Sequence, residues 1–115
     1  MLEVRDIAHT FGRDNSPMKV THDLSFKVQK NEFVSILGPS GCGKSTVFNI
    51  IAGLTRPSSG RVYLNGSDIS GMVGFVGYML QKDMLLPWRT VLDNVILGME
   101  LSGSSKKSAR AKAMP

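Results

Sequence analysis

The 115-residue sequence predicts an α/β fold with an N-terminal antiparallel β subdomain. Three observations predict it. A short apolar run, residues 33–37 (Phe-Val-Ser-Ile-Leu), leads into the stretch Gly38-Pro39-Ser40-Gly41-Cys42-Gly43-Lys44-Ser45-Thr46. A helical pattern follows, from Thr46 to a stop near Gly53 and Pro57. Two amphipathic segments precede the run and read as half-buried strands, which pair antiparallel beside a parallel core.

In chain order, residues 2–11 read as a strand, with Leu2, Val4 and Ile7 among charged neighbours. Residues 13–17 are polar, contain Pro17 and read as a turn. Residues 18–29 alternate loosely and predict a second strand, broken near His22 and Asp23. Lys30-Asn31-Glu32 is a turn into residues 33–37, which read as a buried strand. After the helix, residues 56–60 form a loop. Residues 61–64 are a short strand ended by the turn dipeptide Asn65-Gly66. Residues 67–74 read as a polar connector, residues 75–80 as a further strand, and residues 82–89 as a loop. Thr90 is a candidate N-cap with Asp93 as a weak capping-box partner, and residues 91–101 follow helical spacing.

The stretch from Gly38 to Ser45 matches G-x-x-x-x-G-K-[ST], the Walker A or P-loop motif. Strand, glycine loop and helix are the context this motif requires. The glycines let the backbone curl so that successive N–H groups point at phosphate oxygens. The helix adds its positive end at the same place. Lys44 is placed to reach β- and γ-phosphates, Ser45 to give its hydroxyl to Mg²⁺, and Thr46 to meet the α-phosphate. Cys42 is a small residue the turn accepts. Set beside a helix N-terminus and a lysine, its thiol is expected to react with alkylating reagents and to be protected by ATP.

Net charge is +5, but residues 102–115 supply +4 of it through Lys106, Lys107, Arg110 and Lys112. Such a run reads as a solvated face or a frayed end, and the rest of the chain has no basic face for nucleic acid. A single cysteine allows no intrachain disulfide. No signal pattern and no apolar run of membrane-spanning length is present, so a cytoplasmic chain that meets a membrane through a partner is expected. His9 and His22 read as strand or surface polar residues rather than catalytic groups.

These residues resemble the nucleotide-binding subunit of ATP-binding cassette (ABC) transporters, over residues 2–101. Gly53-Leu54, then Pro57-Ser58-Ser59-Gly60 and Leu64-Asn65-Gly66, are similar to the segment after Walker A in that family. The run Leu85-Leu86-Pro87-Trp88-Arg89-Thr90-Val91-Leu92-Asp93-Asn94-Val95 resembles importers of the nitrate, sulfonate and taurine group. The resemblance implies a P-loop NTPase core that binds ATP and Mg²⁺, a transmembrane permease as partner, and a second copy of the subunit as a homodimer. It implies that Phe11 stacks on adenine, where the residue-level alternative is an apolar strand end covering the sheet. It implies that Gln81 is the Q-loop glutamine, contacting Mg²⁺ and the attacking water. Trp88 reads equally as core packing or as a partner contact.

The sequence departs from the family in lacking Walker B, the catalytic Glu, the signature motif, the D-loop and the switch histidine. Leu101-Ser102-Gly103-Ser104-Ser105 is not a signature, for it lacks the second glycine and the glutamine. The P-loop NTPase core is therefore expected to be truncated. Residues 1–101 would hold Walker A and the Q-loop. Residues 102–115 would be a basic tail, the start of a helical subdomain. No catalytic residue is assignable, and the isolated chain is expected to bind nucleotide weakly with negligible turnover. The function expected is the energising subunit of an importer. The alternatives are a non-catalytic nucleotide-binding fragment and, less well supported, an ABC-type ATPase acting on DNA or ribosomes.

Overall fold

The computed structural model describes residues 1–11, 18–82 and 84–114, with the side chains of residues 11 and 18–22 outside the description. It forms two compact units, residues 1–78 and residues 79–115.

The first unit is built on an antiparallel sheet. Strands β1 (Leu2–Phe11), β2 (Met18–Val28), β3 (Ser59–Leu64) and β4 (Ser67–Asp68) stand in the order β2-β1-β3-β4. In β2, half-buried Leu24, Phe26 and Val28 alternate with exposed Asp23, Ser25 and Lys27, as a one-sided strand requires. β1 has a change of phase. Val4 and Ile7 are both fully buried although three residues apart. A bulge between them, with Asp6 at φ 48°, turns Ile7 back to the core. The Ser25 hydroxyl holds that bulge, accepting from the Asp6 N–H at 2.8 Å and donating to its carboxylate at 2.9 Å. The break expected near His22 and Asp23 is an irregularity within β2: Asp23 has φ 39° and the pairing shifts, but the strand continues.

Helix α1 (Lys44–Ile51) lays Ile50 against Val4, Ile7, Val62 and Ile69 to form the core. The hairpin between β3 and β4 turns through Asn65 and Gly66, both at positive φ, as that dipeptide predicts. Residues 67–68 thus form a strand rather than part of a connector. Gly60 sits where β3 crosses the β1 bulge. It has φ 82°, and a Cβ there would lie 2.4 Å from the carbonyl oxygens of Arg5 and Asp6. Gly60→Ala is expected to destabilise the first unit by about 2–4 kcal/mol, from αL strain plus backbone displacement. A lowered urea midpoint of its unfolding would show this; an unchanged midpoint would contradict the close approach.

Two expected strands are not strands. Residues 33–37 form no regular secondary structure and pair with nothing among the described residues, and Phe33 and Leu37 are each 91% exposed. Residues 75–80 are likewise unpaired, with Met79 93% exposed. The physical reason is the lack of a ladder. A strand exists by hydrogen bonding to a neighbour, and the four strands present pair antiparallel with one another.

In the second unit, residues 91–101 form two short helices, α2 (Val91–Val95) and α3 (Leu97–Leu101), joined through buried Ile96. Gly103 at φ 90° stops α3, with the N–H of Ser104 donating to the Met99 carbonyl, so the Leu-Ser-Gly-Ser-Ser stretch is a helix stop. The basic residues that follow are not frayed. They form α4 (Lys106–Ala113), N-capped by Ser105.

Candidate functional site

The glycine loop is curled around its own lysine. Gly41 and Gly43 take φ 81° and 94°, conformations that a side chain makes costly. Gly38 is needed for a different reason, since a Cβ there would stand 2.7 Å from Cys42 Sγ. The Cys42 N–H donates to the Pro39 carbonyl at 3.4 Å and closes the turn. Lys44 then folds back across the loop. Its Nζ donates to the carbonyls of Gly38 and Pro39, both at 2.6 Å, and lies 3.5 Å from Cys42 Sγ.

α1 starts at Lys44 with Gly43 as N-cap, no side-chain cap and no acid in its first turn. The N–H groups of the first turn have no intrahelical partner, and the dipole places positive charge there. The Ser45 side chain is exposed at this end and Thr46 is half-buried. Val47 and Ile50 anchor the helix from beneath, so the loop sits on a rigid base. The helix is also tied sideways, where the Tyr78 hydroxyl donates to Asn49 Oδ1 at 3.0 Å. The loop thus sets an ammonium beside an uncapped helix N-terminus, two features on which oxyanion sites are built.

Residues 38–46 are therefore brought together. Phe11 closes β1 opposite Met18, and its side chain lies outside the described residues, as does that of His22. His9 is buried in β1. Gln81 is exposed in the second unit. Among the described residues no group of three His, Cys, Asp or Glu stands ready for a metal. The loop offers the hydroxyls of Ser40, Ser45 and Thr46 and no carboxylate, a donor set that suits a cation arriving with phosphate oxygens rather than one held in a protein cage.

Acids with shifted pKa values lie elsewhere. Glu3 is held down to about 2 by hydrogen bonds from Arg5 and Lys27, each 2.7 Å away, while Arg5 also stacks over Tyr63 at 4.6 Å. Asp68 is lowered to about 2 by Ser70 and then Arg61. Asp93 is lowered to about 2 by Arg110 at 2.7 Å and then Lys106 at 3.1 Å.

Sequence reading missed two features of the second unit. Thr90 does cap α2, accepting from the Asp93 N–H at 3.2 Å, but the Asp93 carboxylate pairs with α4 instead of closing a capping box. Asn94 locks the loop before α2: its Oδ1 accepts from the Leu86 N–H at 2.8 Å, and its Nδ2 donates to the carbonyls of Leu86 and Thr90 at 3.2 and 3.1 Å. Arg89 adds bonds to the Asp93 carbonyl and Glu100. Trp88 in that loop is 77% exposed, which removes the core-packing reading within this unit. A carboxylate four residues before no basic partner, and an amide just inside a helix, give no sequence signal of such pairings.

The Asp93 pair makes a pH prediction. Its folded pKa lies below its ordinary 3.8. The stabilisation it gives α2 and α4 is thus complete above about pH 4 and declines as pH falls towards 2. Helicity of residues 106–113, followed by NMR, is expected to fall across that window. Asp93→Asn should lower it already at neutral pH; a variant with unchanged helicity and acid profile would contradict the pairing.

The G-x-x-x-x-G-K-S spacing, set as a glycine loop at the head of a helix, is that of the P-loop NTPase class. Within it the chain belongs to the ABC transporter family, whose model matches residues 21–114. It is 39% identical over 113 residues to the uncharacterized ABC transporter ATP-binding protein YtlC of Bacillus subtilis, covering 98% of this chain and 44% of that protein. It is 40% identical over 112 residues to the taurine import ATP-binding protein TauB of Pseudomonas aeruginosa, covering 97% of this chain and 43% of TauB. Among solved structures it is similar to the ATP-binding cassette MJ0796 in a dimeric post-hydrolysis state bound to ADP and Pi. The TM-score is 0.86 at 28% identity, covering 99% of this chain and 54% of the cassette. The chain thus spans less than half the length of the two relatives and about half of the cassette.

Proposed function

We propose that the chain is the N-terminal, nucleotide-binding part of an ATP-binding subunit that energises an ABC importer. The observation that carries this is the glycine loop closed around Lys44 at the uncapped head of α1. On this reading the N–H groups from Gly41 to Thr46 hold the α- and β-phosphates. Lys44 leaves the Gly38 and Pro39 carbonyls for the β- and γ-phosphates. Ser45 holds a Mg²⁺ ion that neutralises phosphate charge, Phe11 stacks on adenine, and Gln81 meets the metal and the water.

The similarity to TauB and the loop at residues 85–95 favour nitrate, sulfonate, taurine or a similar small solute as cargo. The partners that follow are a permease in the membrane and a second copy of the subunit. The chain would sit on the cytoplasmic face of the membrane through that permease. Exposed Trp88, in a loop fixed by Asn94, suits such a contact. Residues 1–101 would carry Walker A and the Q-loop, and residues 102–115 would open a helical subdomain.

Among the described residues no carboxylate stands beside the loop as a water-orienting base, so binding without turnover is expected of the chain by itself. The test is a titration with a fluorescent ATP analogue plus a phosphate-release assay. Saturable binding displaced by ATP but not adenosine, with background phosphate release, is the expected result. Absence of saturable binding would overturn the proposal, and turnover abolished by Lys44→Ala would overturn its non-catalytic part. A neighbouring permease gene and a gene for a periplasmic binding protein would support import over the alternatives.

A further inference from the structure

A polar cavity of about 430 Å³ opens on the first unit and shares no lining residue with the loop at residues 38–46. Arg56, Ser58, Ser59, Arg61 and Ser70 line it, and among the described residues no acid does. Its donors fall into two groups. Arg61 and Ser70 are engaged by Asp68, the guanidinium at 2.7 Å. Two guanidinium groups against one carboxylate leave the cavity with an excess positive charge.

Arg56 is the uncompensated one, with no ion pair or hydrogen bond among the described residues. Its Cγ, Nε and Cδ lie 2.6, 2.8 and 3.3 Å from where a Cβ on Gly71 would be, so the stem is laid across a glycine that leaves room for it. Ser58 Oγ accepts from the Thr10 N–H at 3.1 Å, which leaves its own O–H to donate. Ser59 contributes a second exposed hydroxyl on β3.

We propose that this cavity binds a phosphate-type oxyanion through Arg56, Ser58 and Ser59. A guanidinium fork takes two oxygens of such a group, and the hydroxyls take the remaining one. Three donors arriving from separate side chains match a tetrahedral anion better than a planar carboxylate.

The test is arginine labelling by phenylglyoxal, read residue by residue by peptide mass spectrometry at constant ionic strength. The Lys44→Ala chain is labelled in parallel, so that phosphate at the glycine loop cannot account for the effect. Millimolar inorganic phosphate is expected to slow labelling of Arg56 about fivefold, as a ligand at a few times its Kd does, and to leave Arg110 unchanged. Slowing by glycerol 3-phosphate as well would assign the site to a phosphoryl group carried on a larger molecule; slowing by phosphate alone would assign it to the free ion. Equal rates with and without phosphate, equal slowing of Arg56 and Arg110, or full protection retained in a Ser58→Ala/Ser59→Ala chain would each overturn the assignment.

Discussion

Lys44→Ala is expected to weaken binding of ATP by about 10- to 100-fold while leaving the fold intact. Hydrogen bonds to charged groups are worth about 1.5–3 kcal/mol, and 1.4 kcal/mol is a factor of ten in affinity. In the structure the ammonium satisfies two neutral carbonyls at 2.6 Å. On nucleotide binding it exchanges them for charged phosphate oxygens, so its removal costs the complex more than the free chain. The core beneath is made by Val47 and Ile50, which the substitution does not touch. Lys44→Arg is expected to fare little better, because a guanidinium is a planar fork where the loop closes on a point charge. Titration with a fluorescent ATP analogue measures the change, and circular dichroism checks the fold. An unchanged affinity would move the binding determinant away from this loop.

The second large effect concerns association. Phe33 and Leu37 stand 91% exposed on either side of Ile36, in a segment of strand composition with no ladder partner among the described residues. Burying such side chains is worth about 1.5–3 kcal/mol each, so these two alone leave about 3–6 kcal/mol of burial unrealised. The segment borders an apolar cavity of about 360 Å³ lined by Leu2, Phe26, Phe33, Ile36 and Phe48. An unpaired, exposed apolar segment of strand composition is a template for intermolecular pairing. The 115-residue chain is therefore expected to self-associate at micromolar concentration, and Phe33→Ser/Leu37→Ser to shift it largely to monomer. Size-exclusion chromatography with light scattering decides this; a chain that is monomeric before the substitutions would contradict it.

The sequence made the first unit largely legible, because its signals are local. The alternation of Leu24, Phe26 and Val28, the Asn65-Gly66 turn and the G-x-x-x-x-G-K-S spacing all report on backbone geometry within a few residues. The change of phase at Asp6 was not legible, since a bulge is fixed by Ser25 nineteen positions away. Residues 33–37 and 75–80 have strand composition, but a strand needs a neighbour that composition does not supply. Within the site, the loop and its lysine could be placed from spacing alone. The lock of Asn94 on the loop before α2 could not, because an amide reads the same whether it faces solvent or three backbone partners. The same limit hid the role of Asp93, whose partners lie 13 and 17 residues further on.

The measurement that tests nucleotide binding most directly is alkylation of Cys42. It is the chain's single cysteine, it is exposed, and its sulfur lies 3.5 Å from Lys44 Nζ within the loop itself. The rate of its modification by N-ethylmaleimide therefore reports occupancy of the loop. ATP and ADP are expected to slow the reaction in proportion to their saturation of the site, adenosine is not, and Lys44→Ala should shift the protection to about 10- to 100-fold higher nucleotide concentration. Alkylation indifferent to ATP at every concentration would contradict the assignment of residues 38–46 as the phosphate site.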